Sequence, residues 1–207
     1  MASAVHMYVN WTPTTMTSRQ EKRHELRQQA ITEVATRIFS EQGIHATSLT
    51  QIGKEVGLSK ASLYYYVKSK EEIIALVLES VLNDINAYAE TLIDTDSSHL
   101  EQLKMQVWAH VSSGESASAH FIVMNLDYLS THKETARMMR LHEEPARKLL
   151  QQAIDAGEIR PIPITPAVKM LYTSLNAISR WYKPELGTKR EVFEQTWDIF
   201  INGVAAG

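Results

Sequence analysis

The chain of 207 residues contains no cysteine, which rules out a disulfide framework and any zinc site built on thiolates and fits a cytoplasmic protein. It has only 8 glycines and 6 prolines, and no glycine-rich loop of the kind that cradles phosphate. There is no nucleophile elbow and no helical metal-binding motif, so nothing groups the scattered Ser, His and Asp into an active centre, and no cofactor is implied. No apolar run is long enough to span a membrane, and no signal-peptide pattern opens the chain. What is present is a 44% hydrophobic composition, enough for a sizeable core in one large or two small domains.

The net charge of −3 hides an asymmetry. Residues 18–70 hold nine Lys and Arg against five Glu, a surplus of four positive charges. Residues 71–207 hold twelve Lys and Arg against nineteen Asp and Glu, a surplus of seven negative charges. That division suits a nucleic-acid-binding head on a body that avoids DNA. Arg19, Lys22, Arg23 and Arg27 cluster at the start of the first helical segment, either facing phosphates or simply solvated.

Nearly every segment after Ser18 has helical period, and none sustains strand alternation, so the expected class is all-α. A first helix spans about Arg19 to Gln42 and ends at Gly43. A long one spans about Ser69 to Ile93, and others about Leu100 to Val111, Ala119 to Leu129 and Lys133 to Ala156. Pro145 should kink the last of these or mark a new start. Two final helices cover about Thr165 to Tyr182 and Lys189 to Gly203. Breaks fall at 94–98 and 112–118, the latter around Gly114. The polar opening, residues 1–18, reads as a flexible arm, with Met16 an alternative start.

The segment from Thr47 to Lys70 carries the most information. Leu49, Ile52 and Val56 share one helical face, and Thr47 or Ser48 can cap its first turn. Gly57 falls where the backbone must turn through a left-handed conformation, and Leu58 plugs the turn. Ser59 can cap a second helix that carries Leu63 and Val67 inward. Two short helices about a glycine turn form a helix-turn-helix. Outward lie Lys60, Ser62, Tyr64, Tyr65 and Tyr66, donors suited to phosphate oxygens and base edges. Ala61 is small enough for close approach to the groove floor or a thymine methyl, and Lys70 is placed for a phosphate.

These residues resemble the N-terminal domain of the tetracycline-repressor (TetR) family of bacterial regulators, from Arg23 to about Glu79. The matching elements are Ile38-Phe39-Ser40-Glu41-Gln42-Gly43, Ala46-Thr47-Ser48, Gly57-Leu58-Ser59-Lys60, Leu63-Tyr64-Tyr65-Tyr66 and Lys68-Ser69-Lys70-Glu71. The resemblance implies that Thr47 caps the second helix and holds a phosphate, that Ser48 and Thr50 lie near backbone or bases, and that Lys60, Ala61, Ser62, Tyr64, Tyr65 and Tyr66 carry the recognition helix. Lys70 would anchor the DNA backbone. Two positions depart from the family pattern: Val67 stands for the usual phenylalanine and Gly53 for alanine.

By the same resemblance the chain divides into an arm (1–18), a DNA-binding domain (19–70) and a helical ligand-binding and dimerisation domain (71–207). It would act as a homodimer on a palindromic operator, most often as a repressor released by a small molecule. Leu171, Leu175, Ile178, Trp181, Val192, Phe193, Trp197 and Phe200 form two amphipathic faces, either a dimer surface or internal core. Trp108, Phe121, Met124, Asn125, Tyr128, Tyr172, Asn176 and Arg180 are candidates for a pocket with apolar walls and a few polar groups. The run NAISRWYKP from Asn176 resembles the C-terminal helix of family members that sense acyl-CoA thioesters. The body histidines, His99, His110, His120, His132 and His142, have no pair at helical ligand spacing, so no metal is expected.

Overall fold

The computed structural model describes residues 18–113 and 116–202. The expected arm, apart from Ser18, lies outside them, as do Gly114 and Gly203. The described residues form ten α-helices and no strand: α1 (Ser18–Gln42), α2 (Leu49–Val56), α3 (Lys60–Tyr66), α4 (Lys70–Leu92), α5 (His99–Ser112), α6 (Ala117–Met124), α7 (Leu126–Thr131), α8 (Lys133–Asp155), α9 (Ile164–Trp181) and α10 (Lys189–Asn202). A 3₁₀ turn, Pro184–Leu186, precedes α10. None of these helices is long and apolar enough to cross a membrane.

The chain separates into two units. The head takes in the chain up to Val81 together with Asn125–Met138; the body takes in Leu82–Met124 and the chain from Met139 onward. The helices α4 and α8 each contribute to both.

In the head, α1, α2 and α3 pack on one another around Ile31, Ile38, Phe39, Ile52, Leu63 and Val67, all buried. Two glycines shape α2 and its end. Gly57 closes the helix at φ 73°, a left-handed conformation that other residues adopt only with strain. A Cβ on Gly53 would lie 3.2 Å from the Leu58 carbonyl oxygen and 3.4 Å from Leu63 Cδ2. The missing side chain therefore lets the turn and α3 close onto α2. Val67 is fully buried in place of the larger aromatic.

In the body, α9 packs against α5, α6 and α10, and α5 also meets α10. Leu103, Val107, Leu150, Val168, Leu175 and Phe193 belong to one core cluster. Glu158, in the connection after α8, accepts from the His99 and Leu100 backbone N–H groups at 3.1 and 2.8 Å, tying down the start of α5. Lys104 on α5 pairs with Glu194 on α10 at 2.7 Å.

Two boundaries differ from the sequence reading. The single helix expected over 119–129 is two, α6 and α7, parted at Asn125, whose φ and ψ of −118° and 20° leave the helical region. Pro145 neither ends nor restarts a helix: α8 runs through it.

Candidate nucleic-acid interface and the polar centre of the body

The local chemistry of the helix-turn-helix fixes how α3 is presented. Ser59 Oγ accepts from the Ser62 N–H at 3.1 Å, an N-cap that satisfies one of the unpaired donors of the first turn. Leu63 alone among the α3 residues is fully buried, and Lys60, Ala61, Ser62, Tyr64 and Tyr65 are exposed. Tyr65 is 65% exposed, yet its ring meets Tyr66 edge-on at 5.0 Å between centroids. Tyr66 lies against His24 of α1 at 5.0 Å, and its carbonyl accepts from Gln28 Nε2 at 3.1 Å. Tyr66 therefore serves to seat α3 on α1. Between them runs a groove of about 500 Å³ whose lining includes Arg23, Arg27, His24, Tyr65 and Tyr66, bringing two of the N-terminal arginines beside the recognition helix.

Thr47 is not the cap of α2. The α2 cap is Ser48, whose Oγ accepts from the Gln51 N–H at 3.2 Å. Thr47 is 2% exposed, and its hydroxyl turns back to donate to the Gly43 carbonyl at 2.9 Å. Thr50 is exposed. Lys70 is only half-buried, but its ammonium already donates to the carbonyls of Ile44 and Thr47 at 2.8 and 2.9 Å. It holds the turn that presents α2, with one remaining N–H and its charge left over.

The expected pocket residues fall in both units. Asn125 and Tyr128 fall in the head unit. The Tyr128 ring lies between His45 and His132 at 5.7 and 4.3 Å, and its hydroxyl faces Glu71 at 3.5 Å. Burial and the Glu71 carboxylate raise its pKa. Trp108 sits on Phe193 at 5.1 Å, under the Arg190 guanidinium at 4.7 Å. Phe121 is buried, Met124 and Arg180 exposed.

Tyr172 and Asn176 do come together, one turn apart on α9, around two histidines that spacing along the chain does not connect. His110 Nδ1 lies 3.1 Å from His142 Nε2, and His110 Nε2 lies 2.9 Å from Asn176 Oδ1. The Tyr172 ring stands edge-on to both imidazoles, at 5.0 and 5.6 Å. Burial lowers the pKa of His110, against the bond to Asn176. Burial, with His110 beside it, lowers His142 to about 3. Burial also pushes the Tyr172 phenol up, helped by the nearby Glu143 carboxylate. All three are neutral at pH 7. Glu143 itself is held by Arg147 and Lys169 at 2.9 and 2.6 Å. Among the described residues no group of three or more ligating side chains could hold a metal ion.

Of the two readings left open for the apolar faces of α9 and α10, internal core describes most of the residues within one chain. Leu171, Leu175, Ile178, Val192, Phe193 and Trp197 belong to the body's own core cluster, and Phe200 is partly buried against it. Only Trp181 of that set is exposed; α9, which carries it, also exposes Met170 at 66%, and α10 exposes Ile199 at 75%. A groove of about 410 Å³ runs there, lined by Pro163, Met170, Ser174, Ile199 and Phe200 among others.

Comparison with known proteins agrees with this geometry. The profile described as "Bacterial regulatory proteins, tetR family" matches residues 31–77. The profile described as "Tetracyclin repressor-like, C-terminal domain" matches residues 96–204. The chain is 26% identical over 205 residues to the HTH-type transcriptional repressor KstR2 of Mycolicibacterium smegmatis, covering 93% of this chain and 95% of that one. Among solved structures, the TetR family transcriptional regulator PfmR of Thermus thermophilus superposes with a TM-score of 0.67 at 28% identity, covering 83% of this chain and 97% of that one. AibR in complex with isovaleryl coenzyme A and operator DNA has the same fold, with a TM-score of 0.67 at 20% identity, covering 84% of this chain and 97% of that one. With profile matches over both its N-terminal and C-terminal regions, the chain belongs to the TetR family of bacterial transcription regulators and is not an enzyme.

Proposed function

We propose that the protein is a repressor that binds a palindromic operator as a homodimer and leaves it when a small apolar molecule occupies the body. The observation that carries the DNA half is α3 itself: capped by Ser59, pinned at Leu63 and Tyr66, it leaves Lys60, Ser62 and Tyr64 outward, while Arg23 and Arg27 line the groove beside Tyr65 and Tyr66. Basic groups there suit phosphates, and hydroxyls suit phosphates or base edges. KstR2, similar over nearly its full length, carries the name of a repressor. On this reading residues 19–70 bind DNA, residues 71–207 bind effector and partner, and the protein works in the cytoplasm.

The effector half rests on the buried Tyr172 and the half-buried Asn176 beside the body's apolar core. AibR, of the same fold, is described with both a CoA thioester and operator DNA, which keeps an acyl-CoA among the candidates. The effector must bind the DNA-incompetent arrangement more tightly than the competent one; affinity equal for both shifts nothing.

The test is a gel-shift titration of the purified protein on DNA upstream of its own coding sequence, at two salt concentrations. Binding that survives non-specific competitor and weakens with salt is the expected result. Acyl-CoAs and other apolar molecules are then screened for release. Binding to that DNA no tighter than to competitor would count against a local repressor.

A further inference from the structure

The polar centre of the body leaves two atoms unused. With Asn176 Oδ1 accepting, His110 Nε2 must carry that ring's proton. A neutral imidazole has one N–H, so His110 Nδ1 is bare and accepts from His142 Nε2–H. His142 Nδ1 is then a bare acceptor, and it has no hydrogen-bond partner. The Tyr172 hydroxyl also has none. His142 is 4% and Tyr172 5% exposed, so water at the surface does not satisfy them. Each unpaired buried group costs roughly 1–3 kcal/mol, and native proteins hold few of them. Packing alone would be served better by phenylalanine at 172. Groups kept at a cost in stability mark sites of function.

We propose that His142 Nδ1 and the Tyr172 hydroxyl form the polar anchor of the effector site, and that they take an uncharged alcohol group on an otherwise apolar molecule. The proposal rests on the reading that the body binds an effector. Their rings meet edge to face at 5.6 Å between centroids, so the two unpartnered groups belong to one side-chain cluster. An alcohol donates to the bare nitrogen and accepts from the phenol, so a single oxygen satisfies both atoms. A ketone accepts from Tyr172 but gives His142 nothing. A carboxylate would set its lone pairs against the bare nitrogen, give up its hydration, and meet the field of Glu143, felt at Tyr172 more strongly than the opposing field of Arg147. The cations nearest by chain and contact, Arg147 and Lys169, are engaged with Glu143.

The test uses the full chain and two sets of probes, linear and fused-ring: decan-1-ol, decan-2-one and decanoate, and decalin-2-ol, decalin-2-one and decalin-2-carboxylate. Affinities are read by calorimetry for the wild type, Tyr172→Phe and His142→Gln; glutamine keeps a donor toward His110 and removes Nδ1. At least one alcohol is expected to bind more tightly than its ketone and its carboxylate. Each substitution should weaken that alcohol roughly 5- to 100-fold, the value of one buried partner lost. His142→Gln should leave the ketone unchanged. Tyr172→Phe should raise the Tm of the unliganded protein, since it deletes an unpaired hydroxyl, which shows that lost affinity is not lost folding.

The anchor is overturned if no alcohol binds, if a carboxylate binds as well as its alcohol, or if both substitutions leave the alcohol's affinity unchanged. A gel shift with the same probes separates the two levels. Anchor-dependent alcohol binding that leaves operator bound would sink the effector reading while keeping the binding site. Operator release by a probe whose affinity ignores both substitutions would keep the effector reading and overturn the anchor.

Discussion

Lys70 donates from its ammonium to the Thr47 carbonyl at 2.9 Å, and from the same nitrogen to Ile44 at 2.8 Å. The first residue of α4 thus clamps the turn between α1 and α2 through two backbone acceptors. Replacing it by methionine keeps the aliphatic stem and strands both carbonyls. Lys70→Met is expected to lower the stability of the protein by about 1–3 kcal/mol in urea denaturation. A residue that served DNA alone would leave that stability unchanged.

Lys60 stands free on the exposed side of α3, with no partner needed for folding. If it neutralises a phosphate, Lys60→Ala should weaken operator binding and reduce the slope of log affinity against log salt by about 1. Lys60→Ala combined with Tyr64→Ala should abolish specific binding in the gel shift while the far-ultraviolet circular dichroism and Tm stay as in the wild type. Specific binding that persists in the double variant would move the recognition surface elsewhere.

Which parts of this molecule the sequence declares depends on the range of the interactions. The Ser59 cap, the Gly57 turn and the inward Leu63 are set by neighbours within a few residues, so spacing reveals them. Ser48 and Thr47 are adjacent hydroxyls with equal claim to the α2 cap; the choice falls to Ser48 because Thr47 is drawn inward to Gly43. His110 and His142 are 32 residues apart, so a rule for ligands on one helix cannot join them. The apolar stripes of α9 and α10 are visible as stripes, but periodicity does not say whether their partner is the protein's own core or a second copy. The structure gives Leu175 and Phe193 to the core. It leaves Met170 and Ile199 outside, off the stripe that the sequence makes most prominent.

Whether the exposed faces of α9 and α10 pair two copies can be checked directly. Ile199→Lys adds a charge at an exposed position and should cost little in folding. If the exposed faces of α9 and α10 pair two copies, it should shift the protein from dimer to monomer in sedimentation velocity. Leu175→Lys should instead unfold the body, because it buries an unpaired charge in the core cluster. An unchanged dimer in Ile199→Lys would place the interface on another surface.

The neutral histidines also set a pH dependence. Burial holds His142 at about 3 and His110 below its ordinary 6.5, with Tyr172 and Asn176 beside them and Glu143 next in the chain. In the unfolded chain both recover an ordinary pKa and bind protons more readily. Their contribution to stability is therefore complete above about pH 6.5 and is lost as pH falls from there toward about 3. Glu71, Glu158 and Glu194 lie below the ordinary 4.5, so their own losses come at lower pH. The interval from about pH 6.5 to 5 belongs to the histidines. There the slope due to His142 alone approaches about 1.4 kcal/mol per pH unit, so His142 should supply about 2 kcal/mol of the difference between pH 7 and pH 5, with His110 adding in the same direction. Urea denaturation at the two pH values measures it. His142→Gln, which cannot titrate, should retain most of that stability at pH 5; an equal loss in wild type and variant would mean that His142 is not held neutral by burial.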